Sequence, residues 1–385
     1  MIRFHNIEHH SIIADDQHFY SESSVVQLQN GEVLVSSPDN RGLAHTDAGS
    51  IVLSRSRDGG ATWLNQPLQF VFSAGVSDGY SSGPLAVLSD GTLFCHADHT
   101  RFLINTGEIS HIAPRGASEQ ETVYLVRSTD SGTTWQAPYP VRITPMQGCY
   151  VRDGILELPD GALLMPLSGA RHTISHKFPP NDNDALRSYL LRSEDHGATW
   201  YYFSVIAMDP AGIMNLWEPT LTRLPSGRLI ALLRSDYVYT IAPPGGELYS
   251  CYSDDDGASW SIPHRTPLWG YPADLITLRD GRVLATYGYR RDPMSIRVAL
   301  SNDGLEWRQE NMTTLREIPL RTLNQSGVNF AGLNPHPALA TYNVGFRHIG
   351  YPDSTQLQDG RIITVYHWWN TELRQAVECS IYEIE

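Results

Sequence analysis

Paired cysteines, long apolar runs and a basic surface are all missing from this chain. The four cysteines, Cys95, Cys149, Cys251 and Cys379, are scattered over 385 residues without CxxC spacing, which argues against a zinc ribbon or a disulfide framework. No stretch approaches the roughly 20 apolar residues that a membrane-spanning helix needs. The opening MIRFHNIEHH lacks the apolar centre of a signal peptide, so the expected location is the cytoplasm, or outside the cell if a leader was trimmed. A net charge of -14 leaves no general basic face for nucleic acid or an anionic membrane. No Gly-rich loop opens a helix, and the clustered histidines of HNIEHH lie outside the repeats without a partnered ligand set. Neither a nucleotide cofactor nor a metal is expected.

Helical periodicity is equally scarce. The apolar runs are short, rich in Val, Ile, Leu, Tyr and Thr, and bounded by Gly, Asp, Asn or Pro, as strands and turns are. A chain this long made of short strands must close on itself, because open sheets leave adhesive edges.

Two repeats organise it. The first is SRDGGATW (56–63), STDSGTTW (128–135), SEDHGATW (193–200) and SDDDGASW (253–260), with a copy one residue short, SNDGLEW (301–307). Here Ser and Asp side chains bond turn amides, Gly takes a positive φ and Trp packs back under the sheet, so these aspartates are structural. The second is a strand, a two-residue turn ending in Gly and another strand, around Gly31, Gly91, Gly161, Gly227, Gly281 and Gly360. Six such hairpins alternating with five Asp-boxes predict one domain over 1–385: an all-β, six-bladed propeller of four-stranded antiparallel blades. The segment His172–Asp184 reads as an insertion loop over one face.

In a propeller the first strand of each blade lines the axis. Counting back nine from each hairpin Gly gives Glu22, Ser82, Arg152, Glu218, Pro272 and Tyr351; counting forward seven gives Pro38, Asp98, Ser168, Arg234, Gly288 and His367. Polar groups converging on an axis cost desolvation unless they bind something, which points to a ligand site there.

The Asp-boxes and this register together resemble the sialidase superfamily of six-bladed propellers over nearly the whole chain. The resemblance implies a retaining exo-glycosidase acting on a terminal sialic acid or related keto-deoxy sugar acid, with Tyr in place of a nucleophilic carboxylate. It places the nucleophile at Tyr351 in GYPDSTQLQDG, its Glu partner at Glu218 in WEPTLTRLPSGRLIALLR, and the acid/base at Asp47 in NRGLAHTDAGSIVLSRS. Arg234 matches one carboxylate-binding Arg, and Arg290 in YGYRRDPMSIRVALS is the choice for another, with Arg291 and Arg297 competing. The family's first Arg is replaced by YSESS, which puts Glu22 near that position, where it would repel a sugar acid; Arg152 or Arg41 is the compensating candidate. His367 stands where an acidic residue is more usual. The expected partner is a small glycan, and the oligomeric state stays open. Two other readings remain. Tyr351 with His367, His96, His99, His172 and Arg152 would suit β-elimination from a uronate. A non-catalytic carbohydrate-binding propeller would need none of this chemistry, and Trp368 and Trp369 would serve sugar stacking or blade packing.

Overall fold

In this computed structural model the described residues are 3–41, 49–75, 78–102, 118–141, 147–170, 185–237, 246–270, 272–318, 349–370 and 374–385. The segment His172–Asp184 falls outside them. The chain forms six antiparallel blades around an axis, with one 3-10 turn at Gln309–Asn311. Blade four is typical: Met214–Arg223 is innermost, followed outward by Leu229–Tyr237, Glu247–Ser253 and His264–Trp269. In blades one to three the inner strand is broken in two, as at His18–Tyr20 and Ser24–Gln27.

The HNIEHH segment is not outside the repeats. Phe4–Ile13 pairs antiparallel with Gln375–Ile384, with Phe4 opposite Ile384 and His10 opposite Cys379, and forms the outer strand of blade six. The chain's start thereby covers the edge its end would expose. No turn joins those two strands, which is why the sixth blade has no Asp-box.

The repeated turns differ in one respect from the sequence expectation. Each DG hairpin carries three residues between its last bonded pair, not two: Leu28 N–H donates to Glu32 O at 2.8 Å and Gly31 N–H to Leu28 O at 2.9 Å, and the same two bonds recur in all six blades. Gly31 has φ +89°, the left-handed residue that closes this longer loop. The Asp-boxes join third to fourth strands. In the copy at 193–200, Ser193 Oγ accepts from Gly197 N–H at 2.9 Å and donates to Asp195 at 2.8 Å, and Asp195 accepts from Thr199 N–H at 2.8 Å.

There is no single core. Six apolar clusters each fill the gap between neighbouring blades; Leu284 and Met294 of blade five, for example, meet Ile362 and Tyr366 of blade six. Trp368 and Trp369 belong to that packing and are buried. Near the axis each boundary also has a polar clasp. Ser24 Oγ accepts from Leu85 N–H (3.0 Å), Asp98 from Val151 N–H (3.0 Å) and Asp153 from Leu221 N–H (2.6 Å). Thr222 bonds Thr277 (2.8 Å), Thr286 bonds Ser354 (2.7 Å), and Asp353 accepts from Val25 N–H (3.0 Å), which closes the circle.

The inner strands of all six blades line an axial cavity of about 400 Å3, with Asp153, Asp274 and Asp353 on its wall. Burial raises the Asp153 carboxyl to about 6, with Asp353 adding to the shift. Burial and neighbouring carboxylates likewise hold Asp274 well above the ordinary range and Asp353 above it, while Arg152 opposes the shift in all three.

Two outcomes follow. Ser193→Ala strips a buried oxygen from the turn amides and is expected to cost about 1–3 kcal/mol, read by chemical denaturation. The folded state holds protons on the axial carboxyls that the unfolded chain releases near pH 4, so their contribution to stability is lost as pH rises through about 6. The wild-type Tm should therefore fall by roughly 3 °C between pH 5 and pH 8. In Asp274→Asn that fall should shrink; an unchanged pH profile would show that the cluster does not bind these protons.

Candidate active site

The inner strands do not enter the axis as regular ladders. Pairing slips between Trp217 and Thr220 in blade four and between Gly350 and Asp353 in blade six. Four residues at equivalent positions take a left-handed backbone: Glu22 (φ 47°), Ser82 (62°), Glu218 (46°) and Tyr351 (45°). Such a conformation costs a non-glycine residue on the order of 1–3 kcal/mol and is kept where the surroundings enforce it. A bulge also redirects its side chain, and here the redirected groups meet.

Tyr351 Oη donates to Glu218 Oε1 at 2.8 Å. The other oxygen of Glu218 accepts from Arg234 Nη1 at 2.9 Å, and Ser168 Oγ accepts from the Glu218 N–H at 2.6 Å. Arg234 is tied in turn to Asp236 at 2.8 Å through Nε, and its guanidinium lies 4.3 Å from the ring centre of Trp217, whose Nε1 donates to the same Asp236 oxygen at 2.7 Å. Burial works against the Arg234 charge, but Glu218 and Asp236 more than offset it and raise its pKa above the ordinary value.

The other candidates surround this chain of contacts. Arg290 stands 5.7 Å from the Tyr351 ring centre and donates to Ile349 O at 2.9 Å. Arg152 stands 5.6 Å from the same ring, donates to Pro352 O, and acts on the axial carboxylates. It touches two layers: the phenol on one side and the acidic cavity on the other. The His367 ring lies 5.6 Å from that of Tyr351 at 31°, and His367 Nδ1 accepts from the Glu22 N–H at 3.3 Å. Glu22 Oε2 accepts from Ser82 N–H at 3.0 Å. Tyr351 is driven well above the usual phenol range, chiefly by burial and then by the Glu218 and Glu22 charges, against the opposing pull of Arg234 and Arg290. Its proton can leave only as something else takes it.

Several candidates are not brought together with Tyr351. Arg297 lies on Met294–Ser301, the third strand of its blade, with its guanidinium 3.3 Å from the Tyr289 ring centre and its Nε bonded to Ser295. Arg291 stacks at 3.6 Å on Trp269. Both are engaged by aromatic faces of blades four and five. His96 is fully buried, and that burial lowers its pKa to about 4; His99 pairs with Asp78 at 3.2 Å beside Tyr80 and Tyr124. Asp47, His172 and the Arg41 side chain lie outside the described residues. Asp236, Trp217 and Ser82 are contributors that the sequence reading did not assign to the site. Asp236 had a signal: two residues beyond Arg234, it shares that strand face.

Among the described residues no group of three or more His, Cys, Asp or Glu side chains is disposed to hold a metal, and no helix is long and apolar enough to cross a membrane. No curated protein sequence matches the chain. Its fold is similar to that of a protein of unknown function from Dyadobacter fermentans, at 25% identity and TM-score 0.77 over 100% of this chain and 99% of that one. It is also similar to the NanB sialidase of Streptococcus pneumoniae, at 13% identity and TM-score 0.65 over 97% of this chain and 70% of that one. An alpha-L-arabinanase from Penicillium chrysogenum, complexed with arabinobiose, aligns at 15% identity and TM-score 0.62, with 97% of each chain covered. The six-bladed ring and its Asp-boxes agree with the match of residues 108–364, more than half of the chain, to the family described as BNR repeat-like domain, and the chain belongs to that family of sialidase-type propellers.

Proposed function

We propose that the protein is a retaining glycosidase in which Tyr351 is the nucleophile and Glu218 its proton acceptor. The observation that carries this reading is the 2.8 Å hydrogen bond between them, backed by Arg234. A phenol held well above its ordinary pKa is not ionised at rest, so attack and proton transfer must be concerted. The Tyr351 oxygen bonds the anomeric carbon as the glycosidic C–O bond breaks, and the phenolic proton passes to Glu218. Asp47 is assigned the proton for the leaving oxygen. Its carboxylate then takes a proton from water as water displaces the sugar, and Glu218 returns its proton to the tyrosine.

The sialidase and arabinanase titles of two similar structures are consistent with a glycan substrate. A terminal sialic acid or related keto-deoxy acid would set its carboxylate against Arg234 and Arg290 by forked hydrogen bonds. That finer reading has less support than the nucleophile, because Arg234 already faces Glu218 and Asp236. Elimination through a Tyr/His set draws on His367 alone among His96, His99 and His367.

The test is Tyr351→Phe on a panel of aryl glycosides that includes a sialoside. The phenylalanine ring keeps the packing, so Tm should hold while kcat falls by about 10³-fold or more. Turnover that survives without the phenol would remove Tyr351 from this role.

A further inference from the structure

The charge around the phenol does not suit an acidic sugar. Glu22, Glu218 and Asp236 stand against Arg234 and Arg290, while the Arg152 charge is shared with the three carboxyls of the axial cavity. Glu22 is not a loose surface group. Its carboxylate accepts from the Ser82 N–H at 3.0 Å and is approached by Ser82 Oγ at 3.4 Å, its amide is held by His367, and its backbone is left-handed at φ 47° like that of Glu218 and Tyr351. Two strained residues, Glu22 and Ser82, are spent on aiming one negative charge at the centre where Tyr351 would react. A positive transition state supplies a reason. The sugar ring gains oxocarbenium character as the glycosidic bond breaks, and a fixed carboxylate stabilises it. A sugar acid brings a carboxylate of its own next to the anomeric carbon, and a second one from the protein would repel it.

We propose that Glu22 is a protein-borne counterpart of a substrate carboxylate, so that the site takes a neutral glycoside and disfavours sugar acids. The proposal rests on the reading of this site as a glycosidase. It also accounts for a tyrosine nucleophile without an acidic substrate: a carboxylate nucleophile beside Glu22 would meet the same repulsion that a sugar acid would impose. The glycoside's ring hydroxyls are suited to donate to Glu22, since a carboxylate offers about four acceptor positions and Ser82 uses only part of them.

The experiment compares wild type, Glu22→Gln, Glu22→Asp and Tyr351→Phe on neutral aryl glycosides and on an aryl sialoside. Binding of 2,3-didehydro-sialic acid, an anionic analogue that needs no turnover, is measured by calorimetry on the same proteins, and melting curves check their folding. Wild type should prefer a neutral glycoside by at least 100-fold in kcat/KM. Glu22→Gln should lose about 100-fold in kcat on it, with KM little changed, and should bind the anionic analogue at least tenfold more tightly than wild type. Glu22→Asp, which keeps the charge, should retain the preference. A merely structural Glu22 would move Tm and leave the ratio of neutral to acidic turnover alone. Preference for the sialoside, or an anionic analogue bound no more tightly by Glu22→Gln, would overturn the proposal whether or not Tyr351→Phe is inactive. Conversely, an active Tyr351→Phe with the neutral preference intact would defeat the nucleophile and leave the role of Glu22 standing.

Discussion

One hydrogen bond, from Tyr351 to Glu218, joins residues 133 positions apart, and it exists only because the ring is closed. Blades four and six are not neighbours; their inner strands meet because every boundary between them and around the rest of the circle is held. Apolar clusters fill the gaps between blades, and hydroxyl and carboxylate clasps fix the inner ends. The N-terminal strand then covers the last edge. The candidate chemistry is therefore a property of the whole circle, and any slip in blade order or register would separate the phenol from its acceptor.

The scaffold was written into the sequence with unusual redundancy. Asp-boxes and DG hairpins each encode one turn by local side-chain bonding and one left-handed Gly, so five or six copies reveal the blade count without tertiary knowledge. The first strand at Phe4–Ile13 carried no such mark, because its pairing with Gln375–Ile384 is made across the chain's two ends and has no turn to encode. The hairpin loops were read one residue short because the signal, a Gly with positive φ, is common to two-residue and three-residue loops.

Within the site, positions that repeat from blade to blade were legible and positions set by local distortion were not. Glu22, Glu218 and Tyr351 fell out of the register count because their bulges occupy the same place in each blade. Arg152 was legible as a polar group on the axis, but its attachment to both the phenol and the acidic cavity depends on Asp153, Asp274 and Asp353, which come from three blades. Spacing also could not rank Arg290, Arg291 and Arg297. Aromatic faces decide between them: Trp269 holds Arg291, Tyr289 holds Arg297, and Arg290 is left beside Tyr351.

The electrostatic character follows from the same geometry. A buried phenol flanked by two carboxylates resists ionisation, which keeps it neutral at rest and makes Glu218 necessary at the moment of attack. The most direct measurement is to trap the glycosyl–enzyme intermediate with a 2-fluoro glycosyl fluoride and map the adduct by peptide mass spectrometry. The account predicts one added sugar on the tryptic peptide between Arg347 and Arg361, at Tyr351. An adduct on Glu218 or Glu22, or turnover of the natural-configuration glycoside with inversion and no adduct, would contradict it.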